Sequence, residues 1–119
     1  MARVLLAEDD ATMLEMVQHA LASDGHQITV AHDGQEALEV LAAGGAAFDV
    51  MLTDIHMPGI NGIELAGKAV AMMPKLKVLL MSADTDIAIP ASLAPHIAQV
   101  LSKPLALDKL RAAVKSAVR

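Results

Sequence analysis

The sequence predicts an α/β fold, a doubly wound parallel sheet of five strands with helices on both faces. Two observations carry this. Five short, nearly unbroken apolar runs recur along the 119 residues, and segments of helical period separate them. Strands that read as continuous Val/Ile/Leu runs belong to sheets covered on both faces, and their alternation with helices implies right-handed parallel crossovers.

The runs fall at Arg3–Ala7, Gln27–Ala31 and residues 48–53, 77–81 and 97–101. Each is too short for a helix and lacks polar alternation, so all five are expected to be covered on both sides. Between the first two, Leu14, Val17 and Leu21 share a helical face that should stop at Gly25. Ala37, Leu38 and Leu41 mark a second helix closed by Gly44–Gly45. Ile63, Ala66 and Val70 mark a third, ended by Pro74, and Leu107, Leu110 and Val114 mark the last. Residues 84–95 should hold a further helix, but both Pro90 and Pro95 lie there. A proline inside a helix removes a hydrogen bond and clashes with the preceding turn, so this helix is expected to be short, displaced or irregular.

Composition narrows the function. The length suits one domain, residues 1–119, with no output domain attached. With one Phe (Phe48) and no Tyr, Trp or Cys, the core must come from aliphatic residues and Met, without disulfides or thiolate metal sites. The methionines are expected to fill core gaps, and His19, His26, His32 and His96 to lie on the surface. The start, MARVLLAEDD, meets acid too soon for a signal peptide, and no apolar stretch would span a bilayer. A cytoplasmic location is expected. A net charge of −5 with scattered cations argues against nucleic-acid binding.

In such sheets the ligand site lies beyond the carboxyl ends of the strands. There the sequence places Glu8, Asp9 and Asp10 after the first run, Asp54 after the third, Ser82 at the fourth, and Lys103 and Pro104 past the fifth. Clustered carboxylates repel one another unless a cation joins them, and hard oxygen ligands suit Mg²⁺. Asp54 is the natural nucleophile for an acyl phosphate. Lys103 and Ser82 can cover the phosphoryl oxygens with charge and a hydrogen bond. Singly these residues read as turn initiators and solvated ends, and Asp10 as a helix N-cap. Their shared strand-end placement is what favours chemistry.

The segments LLAEDD, LTDIHMPGING, VLLMSA and VLSKP, in this order, resemble the CheY-like receiver family of two-component signalling along the whole chain. The resemblance implies a flavodoxin-like (βα)₅ fold and a protein that catalyses only its own phosphorylation and dephosphorylation. Its phosphoryl source would be a sensor histidine kinase or histidine phosphotransferase, docking near Met13 and Val17 on the first helix. By resemblance Asp54 is the phosphoacceptor, and Mg²⁺ is held by Glu8, Asp9, Asp54 and the His56 backbone carbonyl. Ser82 is the switch hydroxyl, Lys103 is the invariant lysine with a cis bond to Pro104, and His56 and Asp84 tune water attack.

Two departures stand out. Val100 occupies the place of the family's switch aromatic, and residues 84–95 carry prolines where relatives have a regular helix. That segment is therefore the expected moving part. Within the family, TDIHMPGINGIELA, VLSKPL and the early stop most resemble CpdR-type stand-alone receivers. Their effector is a ClpX-type unfoldase, engaged by the unphosphorylated form. A phosphorelay shuttle or a chemotaxis-type effector is the alternative. A haloacid-dehalogenase-type phosphohydrolase would need its nucleophile after the first strand. A flavodoxin would need a hydroxyl-rich phosphate loop where Glu8, Asp9 and Asp10 stand.

Overall fold

A computed structural model describes residues 2–43, 47–84 and 86–118. Five strands form one parallel sheet: β1 (Arg3–Ala7), β2 (Gln27–Ala31), β3 (Val50–Asp54), β4 (Lys77–Ser82) and β5 (Ile97–Ser102), in the order β2-β1-β3-β4-β5. The helices are α1 (Ala11–Ser23), α2 (Gly34–Ala42), α3 (Gly62–Met72) and α4 (Leu107–Ala117). The flavodoxin-like architecture expected from the sequence is the one found.

Period-2 alternation sends successive strand residues to two cores. Val4, Leu6, Val50, Leu52, Leu79 and Met81 pack under α1 and α4, against Leu14, Val17, Leu21, Leu110 and Val114. Leu5, Met51, Val78 and Leu80 pack under α2 and α3, against Ala37, Leu41, Leu65 and Ala69. Asp10 caps α1 as expected, and the structure adds Asp33 and Asn61 as side-chain caps of α2 and α3. Gly25, at φ +87°, turns the chain out of α1 while the His26 N–H donates to Leu21 O at 3.3 Å. The expected closing pair Gly44–Gly45 lies outside the described residues.

Several expectations are corrected. β2 and β5 are not covered on both faces. They are the two edges of the sheet, and Ala98, Gln99 and Val100 of β5 are exposed. The reason for β5 is the segment before it. Among the described residues of 83–96 there is no α-helix, only a turn and a single 3₁₀ turn at Ala94–His96. Leu93 is buried and Ile87 and Ile89 pack beside it on the α2/α3 core, but this thin cover leaves most of β5 bare. One extra residue in β5 shifts its register against β4 after Val78. Phe48 precedes β3 rather than belonging to it, yet is buried. Met51, Met57 and Met81 are core, whereas Met16, off the apolar stripe of α1, and Met72, the last residue of α3, are exposed. His26 is half-buried, its Nδ1 accepting the Ala2 N–H at 3.1 Å.

Candidate phosphoacceptor site

The carboxyl ends of β1, β3, β4 and β5 meet at one rim, where the strand order reverses between β1 and β3. Glu8 follows β1, its own N–H bonded to Ala31 O at 3.1 Å. Its side chain turns inward and is buried, with Oε2 accepting the Asp10 N–H at 3.1 Å. Asp10 faces away, as a cap whose Oδ1 accepts the N–H groups of Thr12 (3.0 Å) and Met13 (3.2 Å). The capping expectation for Asp10 holds.

Asp54 ends β3 and is 5% exposed. The strand end is held by the Ile55 N–H on Met81 O (3.0 Å) and the Gly62 N–H on Ile55 O (2.8 Å). Gly62 packs so closely that a Cβ there would lie 2.2 Å from Asp54 O. Lys103 is fixed by its backbone N–H on Ser82 O at 2.9 Å, and the Lys103–Pro104 bond is cis. From there its ammonium donates to Asp54 Oδ2 at 2.5 Å and lies 3.4 Å from Glu8 Oε1.

Glu8, Asp9 and Asp54 each offer an oxygen within 4.8 Å of the others. Burial pushes the Glu8 carboxyl up to about 7. The Asp10 N–H and Lys103 draw it back in part, while the Asp54 charge adds to the rise. Burial works against the charge of the Lys103 ammonium, but the hydrogen bond to Asp54 and the charges of Glu8 and Asp54 outweigh it and raise its pKa. Three acids facing one ammonium leave a negative excess, and three hard oxygens at this spacing fit a small dication. The donor set therefore suits Mg²⁺.

Ser82 ends β4, buried, but no hydrogen bond joins it to Asp54 among the described residues. Its Oγ accepts the Asp84 N–H at 2.9 Å. His56 turns its backbone N–H to Asp54 Oδ1 at 3.3 Å and its ring outward, with Nε2 2.7 Å from Asp84 Oδ2. Reading the sequence placed both residues at the rim but did not pair them. Residues 28 apart carry no local signal of contact. Val100 lies beside Leu80 on β5, 37% exposed. The sole aromatic, Phe48, precedes β3 at the opposite end of the sheet.

A parallel sheet of this order, with an acidic triad and a lysine at its carboxyl rim, defines a phosphorelay signalling module. The chain belongs to the response regulator receiver domain family, whose profile matches residues 4–115. Receiver domains act in two-component signalling, opposite histidine kinases or phosphotransfer proteins, and bind Mg²⁺. Among individual proteins, the chain is 41% identical over 111 residues to the response regulator receiver protein CpdR of Brucella abortus (strain 2308). That match covers 92% of this chain and 91% of the relative. The uncharacterized transcriptional regulatory protein YcbL of Bacillus subtilis (strain 168) is 34% identical, with 97% of this chain matching 50% of that protein. Of solved structures, the response regulator TrrA of Thermotoga maritima, in complex with Mg²⁺ and BeF, superposes with a TM-score of 0.85 at 28% identity, covering 98% of this chain and 99% of that one. A receiver domain protein from Clostridium thermocellum gives 0.87 at 25% identity, covering 99% and 94%. Among the described residues no helix is long and apolar enough to cross a membrane.

Proposed function

We propose that Asp54 accepts a phosphoryl group from a histidine kinase or phosphotransferase and that the product changes which protein the chain binds. The observation that carries this reading is the Lys103 ammonium held against both Asp54 and Glu8, at 2.5 and 3.4 Å. It sits where it can follow charge from the carboxylate onto a transferred phosphoryl group. Glu8, Asp9, Asp54 and the His56 carbonyl would hold Mg²⁺, which would shield the approach of an anionic donor to this acidic rim. Asp54, buried and fixed at a strand end, attacks phosphorus and forms an acyl phosphate, and the donor leaves with the displaced bond's electrons. Lys103 and the Ser82 hydroxyl then engage the phosphoryl oxygens. No other turnover is assigned to the chain.

The output proposed is a protein contact, in keeping with a net charge of −5 and cations scattered along the sequence. On the likeness to CpdR, the effector proposed is a ClpX-type unfoldase that binds the unphosphorylated form. Intact mass after incubation with acetyl phosphate tests the first step. One phosphoryl adduct should form in wild type, require Mg²⁺, and be absent in Asp54→Ala. Wild type without an adduct would overturn the reading. Binding of the unphosphorylated protein to the unfoldase's N-terminal domain tests the second step, and no measurable binding would remove it.

A further inference from the structure

Four residues at the rim form a connected chain of hydrogen bonds. The His56 N–H reaches Asp54 Oδ1 at 3.3 Å, and the His56 ring meets Asp84 Oδ2 at 2.7 Å. The Asp84 N–H donates to Ser82 Oγ at 2.9 Å. Among the described residues, Asp84 thus makes the one side-chain hydrogen bond between the loop after β3 and the segment that replaces a helix between β4 and β5. Beyond it the segment is poorly held. Among the described residues of 83–89, the two bonds of Asp84 are the only hydrogen bonds to side chains, and none joins backbone to backbone. Backbone bonding resumes at Pro90, whose carbonyl accepts from Leu93 and Ala94.

We propose that Asp84 is a latch. It pins the 86–93 segment in the unphosphorylated protein and releases it when Asp54 is phosphorylated, which takes over the task an aromatic at position 100 would otherwise perform. The trigger rests on Asp54 being the phosphoacceptor. Phosphorylation adds negative charge to the residue that holds the His56 N–H, at the rim that Asp84 shares, and like charges there repel. It also draws the Ser82 hydroxyl toward the new oxygens. Ser82 Oγ holds the Asp84 N–H, so that movement either drags the Asp84 backbone or breaks the bond. Both disturb the His56–Asp84 contact. The ring and the carboxylate are 65% and 62% exposed, so the latch is weak, as a readily reversed switch requires. Its release frees Ile87, Ile89 and Leu93 to leave the core they half-cover, baring the flank of β5 to a partner.

Amide exchange of residues 86–93 tests the latch in the unphosphorylated chain. Asp84→Ala and His56→Ala should each speed exchange there about two- to five-fold, the scale of one exposed charged contact. The double variant should be no faster than either single one. Unchanged exchange in both single variants, or effects that multiply, would overturn the latch. The second measurement adds Mg²⁺ and acetyl phosphate, with the adduct verified by mass. Phosphorylated wild type should then exchange at the Asp84→Ala rate, and phosphorylation should add little to that variant. An adduct that leaves the wild-type segment protected overturns the trigger. A chain that forms no adduct overturns the phosphoacceptor reading and the trigger with it, while the first measurement still decides whether the latch exists.

Discussion

Lys103 reaches from the end of β5 to set its ammonium 2.5 Å from Asp54 Oδ2, across two strand boundaries of the sheet. The lysine backbone is fixed on β4 through Ser82 O, so the ammonium is aimed rather than free. That geometry gives it a double relation to the site. In the proposed phosphoryl transfer it would assist an anionic transition state, and it would compete with a cation for the same carboxylate oxygens.

Lys103→Met should therefore slow phosphorylation by acetyl phosphate roughly 10²–10³-fold, the usual cost of losing one aimed donor. Mg²⁺ binding, followed by calorimetry, should not weaken and should tighten as the competing ammonium disappears. Weaker Mg²⁺ binding in the variant would show that Lys103 organises the acids instead.

Glu8 sets a pH dependence. Its carboxyl is raised by burial from 4.5 to about 7. A group raised in the folded state contributes stability below its unfolded pKa that is lost as pH climbs through the folded value. Without a divalent cation, ionising Glu8 should thus cost on the order of 2 kcal/mol between about pH 5 and about pH 8. Glu8→Gln avoids that cost. In chelator, its thermal midpoint should gain on wild type across this range, and added Mg²⁺ should reverse the ranking. A midpoint difference that does not vary with pH would refute the raised carboxyl.

Gly62 and Gly59 should fail for different reasons when changed to Ala. At Gly62 the new Cβ would sit 2.2 Å from Asp54 O and 2.8 Å from Ile55 Cα. These are backbone atoms at Asp54 and Ile55, so α3 must shift. A loss of about 3 kcal/mol in chemical denaturation is expected, with impaired phosphorylation. Gly59 has φ +77° and open space around it. Its variant carries only the left-handed strain of about 1–2 kcal/mol, with the site unharmed. Equal losses in the two variants would contradict this division.

Asp24 receives Arg111 through two bonds, at 2.9 and 2.6 Å, which join the end of α1 to α4. The hydrogen bond from Arg111 holds the Asp24 carboxyl below its ordinary value. The pair is exposed, so its contribution is small. It is present above the ordinary carboxylate pKa and lost as pH falls through the lowered one. Titration of Asp24 by NMR should show the depression in wild type and an ordinary value in Arg111→Ala.

How much of this was legible beforehand follows from the range of each interaction. Capping by Asp10 and the turn at Gly25 are local, and short-range patterns reveal them. The candidate site was legible for another reason. In a parallel sheet every strand ends on the same side, so Glu8, Asp54, Ser82 and Lys103 are gathered by topology alone once the strands are recognised. Pairings between loops were not legible. His56 and Asp84 meet across 28 residues, from the loops after β3 and β4, and Arg111 meets Asp24 across 87 residues.

By itself the sequence determined the strands and their parallel direction, the Asp10 cap of the first helix, and the cluster of acids with their lysine. Periodicity and chain direction suffice for these. Tertiary structure alone decided that β2 and β5 are bare edges, that Met16 and Met72 face outward, and that Glu8 is buried beside Asp54 and so holds its proton toward neutrality. It also decided that Asp84 spans the rim from Ser82 to His56. Burial and long-range contact are properties of the packed whole, and they depend on which elements come to lie over a residue rather than on its neighbours in the chain.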